Sequence, residues 1–146
     1  GTTVRHMGPA GTGTVAKLVN QLLVGIHSVA AAEAMLLAAK SGADPELVFE
    51  VVNSGWGQSF MLARNAPVML DRSFNDARAP LRTLLKDLGL LQDLVRELDT
   101  PTPANDLAFR LFTEAAEAGL GDLDGPAVVL PMEERAGCRI ERTSRE

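Results

Sequence analysis

Tyrosine is absent from the 146 residues, tryptophan and cysteine occur once each, and aromatic side chains make up 4% of the chain. The lone Cys138 excludes an internal disulfide and suits a reducing compartment. With five Phe and one Trp, the core must be aliphatic, built from Ala and Leu, which favours helices over a β-sandwich. Positive charge is also scarce: 14 Lys and Arg against 19 Asp and Glu leave a net −5, which argues against a nucleic-acid-binding domain or a basic membrane-surface helix. The longest charge-free stretch of the helical region covers residues 18–32, interrupted by Asn20, Gln21, His27 and Ser28, and is too short to span a bilayer. No basic leader precedes an apolar run, so no signal peptide is expected. Neither repeats, low-complexity tracts nor alternating strand runs are found.

What is present is enough for one domain. Hydrophobic residues are 46% of the chain, too many for disorder, and this length buries roughly two-thirds of the unfolded surface. Cytoplasmic location and an all-α architecture are expected. Residues 13–41 contain no Pro and one interior Gly, Gly25, and read as a helix of roughly 28 residues. Gly42 ends it. Asp44 and Pro45 cap and open the next helix, which ends near Gly55. Further helices are expected over 59–70, with Pro67 inside, and over 82–98, where Leu84, Leu88 and Leu91 recur at helical spacing. Thr102 is expected to cap a helix running to Gly119. Gly125 and Pro126 open a last short helix ending near Glu134. The charged tail 135–146 is expected to fray.

The glycines of Gly8-Pro9-Ala10-Gly11-Thr12-Gly13 have neither the spacing and preceding strand of a dinucleotide fingerprint nor the lysine of a P-loop, since position 14 is Thr. They form either a plain helix-entry turn or a place where free N–H groups and the helix dipole hold an anion such as a carboxylate. Lys17, Asn20, Gln21, Val24, His27 and Ser28 fall within about 120° of one helix face. A lysine this close to a helix N-terminus is poorly placed for the dipole. Partly buried, it is a usable proton donor or acceptor; exposed, it snorkels to solvent. Lys86 and Asp87 read from periodicity as a solvated helix surface, with Arg82 one turn earlier. His27 reads as a satisfied buried histidine, because no second His or Cys stands at ligand spacing and no metal site is expected. The 53–59 connection with Trp56 lines a site or turns the chain. Cys138 lacks a His partner for nucleophilic work.

The block from Gly8 through Lys17 to Asn20 and Gln21 resembles the second, helical domain of the 3-hydroxyisobutyrate dehydrogenase (β-hydroxyacid dehydrogenase) family. The likeness continues through Glu33 and Met35, Asp44 and Pro45, the Lys86-Asp87-Leu88-Gly89 motif, the 119–125 segment and Glu133, over roughly residues 4–134. It implies a 6-phosphogluconate dehydrogenase C-terminal-domain-like bundle with a long first helix, followed by the tail at 135–146. By that resemblance Lys17 is the catalytic acid/base, Gly11, Thr12, Gly13, Asn20 and Gln21 contact substrate, and Lys86 reaches an NAD or NADP cofactor. The implied substrate is a small 3-hydroxy acid of the 3-hydroxyisobutyrate, tartronate semialdehyde or L-threonate type. The implied assembly is a homodimer or higher homo-oligomer, with no nucleic acid or membrane as partner. Many members carry Asn-Asn where Asn20-Gln21 stands, and with the 27–35 segment this is closer to the branch resembling L-threonate dehydrogenases. Residues 79–85 lack the acidic and aromatic residues expected before Lys86. No βαβ cofactor unit lies within the 146 residues, so the resemblance implies a nucleotide-binding half preceding Gly1, without which the fragment is expected to be inactive. Two other readings are a helical oligomerisation module without catalysis, and a 6-phosphogluconate dehydrogenase-like domain, which calls for more basic residues than are present.

Overall fold

The computed structural model describes residues 8–143. The lead-in with His6, the first four residues of the matched stretch and the last three of the tail lie outside them. Helix α1 spans Thr12–Lys40. Gly11 (φ 97°) starts it and Gly42 (φ 82°) stands just past its end, both in the left-handed region that glycine enters without a Cβ penalty. Helix α2, Pro45–Asn53, begins under Asp44, whose carboxylate accepts the Glu46 and Leu47 N–H groups at 2.9 and 3.4 Å. Helix α3, Phe60–Leu70, is capped by Ser59, whose Oγ accepts the Leu62 N–H at 3.0 Å. It continues through Pro67, which has no N–H to offer the Ala63 carbonyl. Helices α4, Leu81–Glu97, and α5, Pro103–Ala115, form an antiparallel pair, and α6, Leu130–Ala136, ends the described fold. Among the described residues there is no strand. The architecture is all-α with a long first helix, as the composition requires.

Four details depart from expectation. Thr102 does not cap α5: its hydroxyl is buried without a partner, and Pro103 at the first helical position tolerates the missing cap because it has no N–H. That helix stops at Ala115 and loosens into a π turn, Ala116–Leu120, because Gly119 adopts φ 82°. The segment after Gly125 is first a tight 3-10 turn, Gly125–Val129, before α6. The tail does not fray over 137–143. Ile140 is fully buried, and its N–H donates to Glu133 Oε1 at 2.7 Å. Arg72 Nη1 donates to the same oxygen at 2.6 Å and to the Ile140 carbonyl at 3.1 Å, while Arg142 pairs with Asp71 and Glu46. The buried isoleucine and these ion pairs together hold the segment.

Helix α1 is the central strut, with α3, α4, α5 and the 3-10 turn packed around it. By length and composition it is apolar enough to cross a membrane, a point the charge-free window of 18–32 did not register. Here Leu18, Val29, Ala32 and Met35 are buried against the other helices. Leu81, Leu88, Met69 and Phe112 are fully buried as well, each contributing roughly 1.5–3 kcal/mol on removal from water. Where α1 crosses α4, a Cβ on Gly25 would stand 3.0 Å from Leu88 Cδ2, so a glycine sets the closeness of the two helices. That crossing positions the site.

Candidate active site

Gly13, Lys17 and Gln21 recur every four residues and so share one face of α1. Opposite that face, α4 presents Asp87. Lys17 Nζ lies 3.2 Å from Asp87 Oδ1, and Gln21 Nε2 donates to Oδ2 at 2.9 Å. Lys86 Nζ stands 3.7 Å from Oδ1. Asn20 Nδ2 donates to Gln21 Oε1 at 3.1 Å, so the Gln21 amide is held at both ends. The Asp87 side chain is 5% exposed, whereas those of Lys17 and Lys86 are 58% and 67% exposed. Burial alone pushes the Asp87 carboxyl up. The hydrogen bonds from Lys17 and Gln21, together with the two ammonium charges, outweigh burial and hold it below the ordinary 3.8. At neutral pH one carboxylate therefore faces two ammonium groups, and the cluster keeps a positive charge that suits an anionic ligand.

The glycine turn lies one helical turn before Lys17. Thr12 directs both its N–H and its hydroxyl to the Pro9 carbonyl, at 3.2 and 2.8 Å, and the Thr14 and Val15 N–H groups bond the Gly11 carbonyl. Gly11 and Gly13 keep N–H groups without a partner among the described residues, and both are exposed. The Thr12 hydroxyl, counted among the candidate contacts, is turned to the backbone. Lys17, Asn20, Gln21 and Lys86 are brought together; Gly13 shares that face one turn earlier, with Gly11 and Thr12 in the turn that precedes it.

The loop before α4 is zipped to the 121–125 segment. The Leu81 and Arg82 N–H groups bond the Leu123 and Gly121 carbonyls at 2.8 and 3.0 Å, and the Asp124 N–H bonds Phe74 O at 2.9 Å. The buried Asp124 carboxylate accepts the Ala79 and Gly125 N–H groups and two contacts from Arg64 Nη2, at 2.8 and 3.0 Å. Asp124 thus fixes the start of α4, and α4 fixes Lys86 and Asp87.

Two sequence readings are corrected. Asp87 is not part of a solvated surface: it is 4% exposed, and only Lys86 beside it is solvated. His27 is neither fully buried nor hydrogen-bonded; it lines an apolar groove of about 440 Å³ with Ala30, Val52 and the wholly exposed Trp56. That groove shares no residue with the lysine cluster. Asp87 is the functional candidate that sequence reasoning missed, although a signal existed. It falls between Leu84, Leu88 and Leu91 at i, i+3, i+4 and i+7, which places a carboxylate in the buried stripe of α4. Such a carboxylate requires a partner on the facing helix. Among the described residues no group of His, Cys, Asp and Glu could hold a metal.

Residues 11–132 match the family model described as the NAD-binding domain of NADP-dependent 3-hydroxyisobutyrate dehydrogenase. The chain is 36% identical to an L-threonate dehydrogenase of Cupriavidus necator over 127 residues, which are 86% of this chain and 42% of the relative. It is 31% identical to a 2-(hydroxymethyl)glutarate dehydrogenase of Eubacterium barkeri over 141 residues, 96% of this chain and 46% of the relative. A crystal structure of a 3-hydroxyisobutyrate dehydrogenase from Salmonella typhimurium superposes with a TM-score of 0.80 at 36% identity, covering 83% of this chain and 42% of that one. The chain spans less than half the length of these relatives.

Proposed function

Because the chain belongs to the 3-hydroxyisobutyrate dehydrogenase family, we propose that it is the catalytic-lysine half of a cytoplasmic NAD- or NADP-dependent dehydrogenase of a small 3-hydroxy acid. The observation that carries this reading is the buried Asp87 carboxylate holding Lys17 and Gln21 at the α1–α4 crossing. A bound nicotinamide would supply the hydride acceptor for the carbinol carbon; the remaining work falls to side chains of this chain. Lys17 Nζ, fixed by Asp87, gives its proton to the carbonyl oxygen in the reductive direction; in the oxidative direction it first releases that proton to solvent and then, as the free amine, takes up the alcohol proton. The Gln21 amide, held by Asp87 and Asn20, orients the oxygen next to it. The substrate carboxylate sits towards the free Gly11 and Gly13 N–H groups, drawn by the helix dipole and the surplus ammonium charge. Lys86 fits the cofactor: it is exposed beside the Lys17–Asp87 pair and only loosely tied to Asp87, so its charge remains available.

The cofactor would be bound mainly by a nucleotide-binding half, and this chain alone would transfer no hydride. The test is Lys17→Ala in an enzyme that carries both halves. Turnover is expected to fall about 10²–10⁴-fold with the fold intact, as for loss of a general acid–base group; near-normal turnover removes Lys17 from the chemistry.

A second reading, a helical oligomerisation module, draws on the exposed stripe of Val15, Val19, Leu23 and Leu37 along α1 and on the Trp56 groove. As a module without catalysis it excludes the first reading, whereas self-association through the same stripe also suits a homodimeric dehydrogenase. Light scattering at micromolar concentration separates them from a monomer, which would count against any role for the stripe in self-association.

A further inference from the structure

We propose that the cavity beside Gln21 receives the tail of the hydroxy acid and selects an uncharged, hydroxyl-bearing tail over an anionic one. This rests on the hydroxyacid reading and extends it from the reacting carbon to the rest of the substrate. The cavity, about 240 Å³, lies where α1, α3 and α4 meet. Gln21 belongs both to it and to the Asp87 cluster, so a ligand whose alcohol stands at Lys17 has its next carbons directed along α1 into this space.

The remaining walls give the chemistry. Val24 and Phe60 supply apolar surface, and Ser28, Arg64, Asn65 and Thr83 supply polar atoms. Arg64 is the only cation among the described lining residues, and it is already engaged. Its Nη2 contacts both oxygens of the buried Asp124 at 2.8 and 3.0 Å, and its Nη1 donates to Asn65 Oδ1 at 2.8 Å. A second carboxylate or a phosphate on the ligand would find no unpaired positive charge and would come close to Asp124, so its desolvation would go uncompensated. A hydroxyl is treated differently. Ser28 Oγ accepts from Asn65 Nδ2 at 3.2 Å and keeps its own proton to donate, and the Thr83 hydroxyl lies at the more exposed rim. Ser28 and Asn65 are 2% and 0% exposed, so an incoming hydroxyl would meet an ordered pair rather than mobile surface groups. The volume corresponds to roughly eight waters, ample for a short tail.

The experiment is a nitrogen–proton correlation NMR titration of the 146-residue chain with L-threonate, 3-hydroxyisobutyrate and 2-(hydroxymethyl)glutarate. L-Threonate is expected to move the side-chain amide resonances of Gln21 and Asn65 together with the backbone N–H resonances of Ser28 and Thr83, and the dicarboxylate to bind about tenfold more weakly. Thr83→Arg places an unpaired guanidinium at the exposed rim without touching the core. It is expected to tighten dicarboxylate binding about tenfold and to weaken L-threonate, which loses the Thr83 hydroxyl, so that the preference between the two acids narrows or inverts. Equal binding of the two classes by the unaltered chain overturns the proposal while leaving the hydroxyacid reading in place. So do shifts confined to Gln21, and so does a Thr83→Arg variant that gains nothing for the dicarboxylate. If no acid moves any of these resonances, the cavity is not the tail's site and the proposal falls, while Lys17→Ala in the enzyme with both halves decides the hydroxyacid reading.

Discussion

Lys17 and Asp87, 70 positions apart in the chain, meet at 3.2 Å across the α1–α4 crossing, with the carboxylate buried and the ammonium still open to solvent. The asymmetry separates their roles. A buried carboxylate is an anchor that cannot move, and an exposed amine held by it is presented to whatever enters the cleft. Replacing Asp87 should therefore impair catalysis through Lys17. Asp87→Asn, assayed in an enzyme with both halves, is expected to lower kcat with a smaller change in KM; an unchanged kcat would leave the carboxylate a purely structural role.

The same carboxylate gives stability a pH dependence. Its pKa in the folded chain lies below the ordinary 3.8, so its contribution is fully present above that value and is lost as the pH falls through the folded pKa. Thermal or urea unfolding followed from neutral to acid pH should show the gap between the unaltered chain and Asp87→Asn closing only below about pH 4. At neutral pH the gap should be about 1–2 kcal/mol, kept modest because Lys17 and Lys86 are solvated. A gap that stays constant into strong acid would contradict the coupling.

Gly25 controls how closely α4 approaches. Valine there would drive a branched side chain into Leu88, whose methyl carbons already lie 3.0 and 3.2 Å from a Cβ position. Gly25→Val is expected to destabilise the fold by about 1–3 kcal/mol and to loosen the Lys17–Asp87 contact. Unfolding by urea at neutral pH measures the first effect. A neutral or stabilising result would mean that the crossing accommodates bulk.

The clasp of the C-terminal segment is open to a separate test. Ile140→Ala removes a fully buried side chain and should cost about 2–5 kcal/mol, exposing the chain beyond α6 to limited proteolysis. Cleavage after Arg139 or Arg142 should then precede any cut within α1–α5. Equal resistance in both proteins would show that the Arg72–Glu133 pair suffices without the isoleucine.

Much of this molecule is written locally. The caps at Asp44 and Ser59, the glycines at 11 and 42, and the helical spacing of Leu84, Leu88 and Leu91 fix the helices, because capping and periodicity depend on neighbours a few residues away. The same locality placed Lys17, Asn20 and Gln21 on one face, and the family motif added Lys86. What the sequence could not decide was which long-range partners these faces meet. Asp87 looked like half of a solvated Lys-Asp pair until α1 was laid across it. Asp124 lay unremarked within the 119–125 segment, and only the fold gathers Arg64, Ala79 and Gly125 around it. Ile140 looked like part of a frayed end until Glu133 and Arg72 closed over it. Each is a group whose burial is stable only with a partner far along the chain, and only the tertiary fold brings that partner within hydrogen-bond reach.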